Sequence, residues 1–323
     1  MVFVPKRRKK YGQLKMTKQE KEKHKEKFEK ALNEFVKDLK TYVSTDTGEW
    51  TVKGFIDIYK NIYTISSDTK IVSKILEIHI FPEILQFAEK YGYKIILAEH
   101  QNWYPDLTII DKDNSDAKFA LDLKTTFRRN SKTAGFTLGS HGAYFKERDK
   151  SKNIQFPYNQ YLGHYCLGIV YTSEDFEDDL ADTKIYQVQE IQEEYGENQD
   201  PIKDRQVTNV ANLKSITSVI KDFDFFAVEK WKIASDRRGS GNTANIGSIN
   251  DIKDLKAENG VFSKLSEEWF DEYWVNYGTA TMMKDGKTVK VSSIWDFLEF
   301  KGRKDLFCKV VTKGAKRKRK DQE

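Results

Sequence analysis

Along the first forty residues the apolar positions Phe28, Leu32, Phe35, Val36 and Leu39 recur three and four apart, one stripe of a helix that turns every 3.6 residues. Thr17-Lys18-Gln19-Glu20 precedes the stripe. A threonine at that place and a glutamate three positions on can satisfy each other's free backbone amides, so the pattern predicts a helix from about Lys18 to Lys40. Its outer half is almost wholly charged, so residues 1–27 are expected to form a basic arm, with the fold proper starting near Phe28. Gly48 and Gly54 bracket Trp50-Thr51-Val52, which reads as a short strand. Ser67-Asp68 then caps a second helix through Ile71, Ile75 and Ile78, which Pro82 is expected to kink or restart.

Beyond that helix the apolar runs shorten and become rich in branched and aromatic residues. Residues 93–98, 107–110 and 119–127 read as three strands, with an Asp/Asn-rich turn over 111–116 between the second and third. The run from Tyr161 to Tyr171 is apolar throughout, and periodicity leaves it open as a buried strand or a helix. Residues 173–222 are polar and acidic with weak periodicity, an expected insertion or accessory subdomain. The whole reads as an α/β (α+β) chain with a mixed central sheet flanked by helices. One domain over 28–304 carries the insertion, and a basic tail follows over 305–323.

Composition narrows the setting. The chain has 323 residues and 38% hydrophobic content, enough for a sizeable core. Cys166 and Cys308 show no metal-binding spacing and build no disulfide framework, which favours a reducing compartment. The start, Met1 to Pro5 followed by Lys6-Arg7-Arg8-Lys9-Lys10, lacks the apolar stretch of a signal peptide, and no window approaches a membrane span, so the expected location is the cytoplasm. The net charge of +5 is unevenly spread: both ends are basic while residues 174–182 are acidic. Such ends suit a polyphosphate partner, and solvated tails look the same.

The chemistry-bearing pattern is Pro105-Asp106 followed by Asp122-Leu123-Lys124. Two carboxylates on adjacent strands suit magnesium, a hard ion that takes oxygen ligands and keeps waters that a phosphate can displace. Positions two apart on a strand face one way, so Asp122 and Lys124 share a side while Leu121 and Leu123 face the core. A cation there can orient the attacking water and offset charge on the transition-state phosphorus. An exposed strand carrying an ordinary Asp–Lys pair would show the same letters. Glu77, on the second helix, is a third carboxylate that by itself also fits a solvent-facing position. Far downstream, Gly239-Ser240-Gly241-Asn242-Thr243-Ala244-Asn245 combines small residues with groups that can meet base edges, as a major-groove reading loop needs. It reads equally as a flexible surface loop, and no Walker lysine follows it.

Taken with Ser67-Asp68-Thr69-Lys70, Gln101-Asn102 before Tyr104, Thr125-Thr126 and Phe136-Thr137-Leu138-Gly139, in this order, these segments resemble the EcoRV family of type II restriction endonucleases, within the PD-(D/E)xK nuclease superfamily. The likeness spans about 67–304, interrupted by the acidic stretch. It implies a restriction-endonuclease-like core, Asp106 and Asp122 as magnesium ligands, Lys124 as the catalytic lysine and Glu77 as a further acidic group near the metal. Manganese would be able to substitute for magnesium. Lys70 would contact DNA, Gln101 and Asn102 would form a minor-groove loop, and Thr125 and Thr126 would lie near phosphates. Gly239, Ser240, Gly241, Asn242, Thr243 and Asn245 would make up the reading loop. The resemblance further implies a homodimer on double-stranded DNA, cutting a palindrome such as GATATC to blunt ends, with a cognate methyltransferase in the host. Ala244 departs from the family's second threonine, Glu99-His100 alter the minor-groove loop, and the region 140–152 is longer and more charged. Two other readings share parts of the pattern: a nuclease of the same core in repair or recombination without strict sequence specificity, and a non-catalytic DNA-binding module. The second has difficulty with the intact Asp106, Asp122 and Lys124.

Overall fold

The computed structural model describes residues 16–59, 61–100, 102–173, 207–209, 218–239, 244–284 and 286–317. Helix α1 spans Lys18–Val43 and opens on the expected capping box, in which the Thr17 hydroxyl accepts from the Glu20 amide and the Glu20 carboxylate accepts from the Thr17 amide. Its first turns do not project. Lys25 pairs with Glu229 at 2.7 Å and Lys27 with Asp111 at 2.9 Å, so the charged half of the helix is tied to the body. One turn further, the Phe28 ring is fully buried, stacked on Phe119 at 4.1 Å and edge-on to Tyr93 and Tyr165.

Trp50 is buried in an isolated bridge with Ser44, and the neighbouring strand is β1, Gly54–Ile56, which pairs with β2, Asn61–Thr64. Helix α2, Thr69–Lys90, is capped by the Asp68 carboxylate, which accepts from the Lys70 and Ile71 amides. It runs on through Pro82 rather than restarting. The carbonyl that the proline leaves without a donor is that of Ile78, a residue 64% exposed, so the loss falls on the solvent side.

The central sheet has the order β10-β8-β5-β4-β3, with β3 at Tyr93–Leu97, β4 at Leu107–Asp111, β5 at Lys118–Arg129, β8 at Tyr161–Ser173 and β10 at Ile220–Glu229. The run left open in the sequence is thus a strand. It lies parallel to β5 while all other neighbours are antiparallel, so the sheet is mixed. Both faces of β8 are covered, which explains the unbroken apolar run that defeats a period-two reading. Gly168 makes room for the ring of Phe226 on β10, which lies 2.1 Å from where a Cβ would stand. On one face α1 and α2 close a core with Leu121, Leu123 and Leu167; the C-terminal helices close the other over Ala120, Cys166 and Val170.

Most of the acidic stretch lies outside the described residues. Its ends are placed: Ser173 and Ile220 are partners across β8 and β10, so the interval is the connection of a hairpin, and β9, Val207–Asn209, pairs with β2. A second small sheet is built from β7, Thr137–Ser140, β11, Ala234–Arg238, and β12, Asn245–Ser248, with the short β6, Lys132–Thr133, pairing back on β5. No helix among the described residues is long and apolar enough to cross a membrane.

Candidate active site

The register of β4 against β5 decides the site. Leu107 stands opposite Leu121, so one step further on each strand brings Asp106 and Asp122 together where β4 begins, midway along β5. The Asp106 carboxylate accepts a hydrogen bond from the Leu123 amide at 2.8 Å, which fixes it beside β5. Lys124 lies on the same side of β5 as Asp122 and its ammonium pairs directly with that carboxylate. Leu121 and Leu123 point the other way, into the core beneath α1 and α2.

Asp122 is buried, while Asp106 keeps an open side toward solvent. Crowding by protein atoms, and then the charge of Asp122, push the Asp106 carboxyl above its ordinary range, with Lys124 acting in the opposite direction. Burial disfavours the charge on Lys124, but Asp122 and Asp106 together outweigh it and hold its ammonium above the usual lysine value. Two carboxylates facing one ammonium still repel each other, which is the electrostatic setting a divalent cation relieves. Hard oxygen donors with an open side suit an ion that retains waters. Asp106 and Asp122, the carboxylates that meet here, would hold such an ion, with water and phosphate among its remaining ligands; among the described residues no group of three His, Cys, Asp or Glu is gathered at one point.

Glu77 is not gathered into that cluster. It sits on α2 and pairs with Lys74 at 2.7 Å, one helical turn back. Lys74 in turn feels the charge of Asp106, so Glu77 is linked to the carboxylate pair through a lysine that the sequence pattern does not single out. Lys70 is exposed on the first turn of α2. The Thr125 hydroxyl donates to Ser73 Oγ at 2.7 Å, on the α2 side of the strand, and the Thr126 hydroxyl donates to the Gly135 carbonyl at 3.3 Å. Asn102 is exposed in a turn, and Gln101 lies outside the described residues.

Behind Asp106 is an aromatic nest that sequence reading missed. Tyr104 stacks on Tyr144 at 5.2 Å, and its hydroxyl shares a 3.0 Å hydrogen bond with His164 Nδ1. Beneath them the buried ammonium of Lys230 lies 4.8 Å from the Tyr104 ring centre and 4.7 Å from that of Tyr158, with no hydrogen-bond partner. Burial lowers its pKa to about 7. In the sequence Lys230 stands in Glu229-Lys230-Trp231-Lys232, whose charges look like a solvated face.

The Gly/Asn-rich segment lies between β11 and β12, which pair antiparallel. Ser240, Gly241, Asn242 and Thr243 lie outside the described residues, but its two feet are placed. The Gly239 amide donates to the Asn245 carbonyl at 3.0 Å, and Gly239 is without a side chain because a Cβ there would meet Thr137 Cγ2 at 2.7 Å. Asn245 pairs with Ser140 on β7, and the Ala244 carbonyl accepts from the His141 amide at 2.8 Å, so the hairpin is seated on the segment that also carries Tyr144. The segment that follows β7 thus touches both the hairpin, through His141, and the aromatic nest behind Asp106, through Tyr144.

Comparison with known proteins agrees with this geometry. The chain matches the model of the restriction endonuclease EcoRV family over residues 46–199 and 195–302. It is also 32% identical over 269 residues to the type II restriction enzyme EcoRV of Escherichia coli, covering 83% of this chain and 98% of that protein. Matched over most of its length, and with the paired aspartates and lysine of its central strands brought to one point, the chain belongs to the EcoRV family of type II restriction endonucleases.

Proposed function

We propose that this restriction endonuclease acts as a homodimer that cuts both strands of duplex DNA at a short palindrome of the GATATC type, leaving blunt ends and requiring magnesium, for which manganese can substitute. The observation that carries the reading is the convergence of Asp106, Asp122 and Lys124 where β4 begins, midway along β5. A bound divalent ion would draw charge from the scissile phosphate and ease ionisation of the attacking water. The chain's own part is positional. Asp106 and Asp122 hold the ion's side of the phosphate, with Asp106 locked by the Leu123 amide. Lys124 sets its ammonium beside the reacting phosphorus, where it orients the water and offsets the charge that grows as the new P–O bond forms and the bond to the leaving sugar oxygen breaks. Glu77 acts through Lys74 on the charge around Asp106, and Lys70, Thr125 and Thr126 lie toward the phosphate backbone.

Dimerisation is supported by an apolar patch on the small outer sheet. Phe55 and Tyr63 stand opposite each other on β1 and β2, 53% and 44% exposed, with Ile56, Ile58 and Tyr59 beside them at 63%, 86% and 77%. A two-fold assembly matches a palindrome and supplies one catalytic centre per strand. Reading falls to the turn 239–245 in the major groove and to Gln101 and Asn102 in the minor groove; the central TA step of GATATC is easily deformed. A methyltransferase that modifies the same sequence is expected in the host.

The test is digestion of a sequenced plasmid with and without magnesium, beside Asp122→Ala, with fragment ends mapped. Discrete magnesium-dependent fragments that share one palindrome, absent with Asp122→Ala, are expected. Smearing without a shared sequence would point instead to a repair-type nuclease, and retention of DNA without cutting to a binding module.

A further inference from the structure

The family match ends at residue 302, but the chain beyond it stays on the body. Leu306, Val310 and Ala315 are buried, and Ala315 and Lys316 are held by hydrogen bonds from several directions. The fully buried Asp236 of β11 accepts from the Lys316 amide at 2.9 Å with one carboxylate oxygen and from the Ile294 amide at 3.0 Å with the other. Arg237 donates to the Ala315 carbonyl at 2.9 Å and the Trp295 indole to the Lys316 carbonyl at 2.8 Å. Gly314, at φ +87, lets this strap run against Ile249, whose Cγ2 lies 2.6 Å from where a Cβ would stand.

The strap thereby becomes one wall of a groove of about 690 Å³ at the foot of the reading hairpin. Lys132 and Thr137 line one side, Arg237 and Arg238 the hairpin side, and Lys313 and Gly314 the strap. Two carboxylates also line it. Asp251 is committed to capping the helix Ile252–Lys256, where it accepts from the Lys253 and Asp254 amides. Asp254 is buried and pairs with Lys313 at 3.2 Å, but with Lys313 73% exposed that pair is weak and leaves the ammonium able to swing to a stronger anion. The lining is therefore cationic on balance, narrow in backbone at Gly239 and Gly314, and continuous with the turn that reads bases.

We propose that this groove is a second nucleic-acid contact, which takes backbone phosphates of the duplex outside the read sequence and for which the strap beyond residue 302 supplies one wall. The proposal rests on the functional reading above. Phosphate contacts of this kind add affinity without sequence information and make it salt-dependent, each neutralised phosphate contributing about 0.9 to the slope of log affinity against log salt.

The experiment compares the unmodified protein with the Lys132→Gln/Lys313→Gln double variant on two duplexes, one limited to the cut sequence and its nearest neighbours and one extended on both sides. Thermal melting verifies folding. KM, kcat and retention of the long duplex are followed across a salt series. On the long duplex KM is expected to rise roughly tenfold with kcat unchanged, and the salt slope to become shallower by about two. The short duplex should be insensitive, and Lys132→Arg/Lys313→Arg should restore the long-duplex affinity. An equal loss on both lengths, or an unchanged salt slope, would overturn the assignment. Should the unmodified protein cut without sequence preference, the functional reading fails instead, while the salt slope on long duplex still decides whether the groove holds phosphate.

Discussion

The two working regions are built in opposite ways. The candidate catalytic residues lie within nineteen positions of sequence, from Asp106 to Lys124, on or beside two central strands buried on both faces and tied by a continuous ladder. The β11–β12 hairpin, proposed to read bases, joins strands adjacent in sequence but takes its support from far away. Its feet rest on β7, its strand β11 is fastened by the buried Asp236 to the amide of Ile294, and the C-terminal strap closes behind it. On the proposed reading, chemistry, which tolerates little displacement, would sit where the fold is most redundant, and recognition would hang from contacts between segments far apart in the chain.

The sharpest way to separate the two is Lys124→Met. It removes the ammonium paired with Asp122 beside Asp106 and leaves the hairpin alone. Cleavage at saturating magnesium should fall about a hundred- to a thousandfold in single-turnover assays, with DNA retention unchanged. A parallel loss of binding would mean that the regions are not separable.

Asp236→Ala attacks the other side. It strands the buried amide of Ile294, a loss of about 1–3 kcal/mol, and the half-buried amide of Lys316, which water can partly compensate. Hydrogen exchange should quicken over 234–248 and 313–317 while β4 and β5 keep their protection. Uniform quickening across the sheet would show a single cooperative unit and erase the contrast.

The smallest effect expected is in pH dependence. His141, beneath the hairpin against Trp274 and Tyr277, is buried with neither ring nitrogen hydrogen-bonded. Burial, then Arg238 and Lys146, lower its pKa to about 4 from an ordinary 6.5. Above pH 6.5 the ring is neutral folded or unfolded and costs nothing. Between 6.5 and about 4 the unfolded chain takes up a proton that the folded one refuses, so stability is lost as pH falls through that window. His141→Phe should flatten this part of the melting-temperature profile and leave the neutral value nearly unchanged. An unaltered acid limb would place the sensitivity elsewhere, for instance at the buried His164.

The same contrast governs what could be read in advance. Capping signals, helical stripes and the strands at 93–127 were legible because each is a local pattern, and Asp106, Asp122 and Lys124 because register on adjacent strands is short-range arithmetic. Residues 161–171 stayed ambiguous since a strand covered on both faces has no alternation to show. The basic arm was extended too far because ion pairs such as Lys25 with Glu229 join residues two hundred positions apart, and a charged helix half looks solvated until its partners are placed. Lys230 and the Asp236 fastening left no trace for the same reason: a single charged residue becomes buried only through what folds around it.

The pairing of Ser173 with Ile220 has an engineering consequence. Both ends of the intervening stretch are fixed opposite each other by the sheet, so a guest domain or a longer linker spliced between them would meet the same closed doorway. Closure entropy grows only logarithmically with the length of an added flexible linker, each doubling costing about 0.6 kcal/mol.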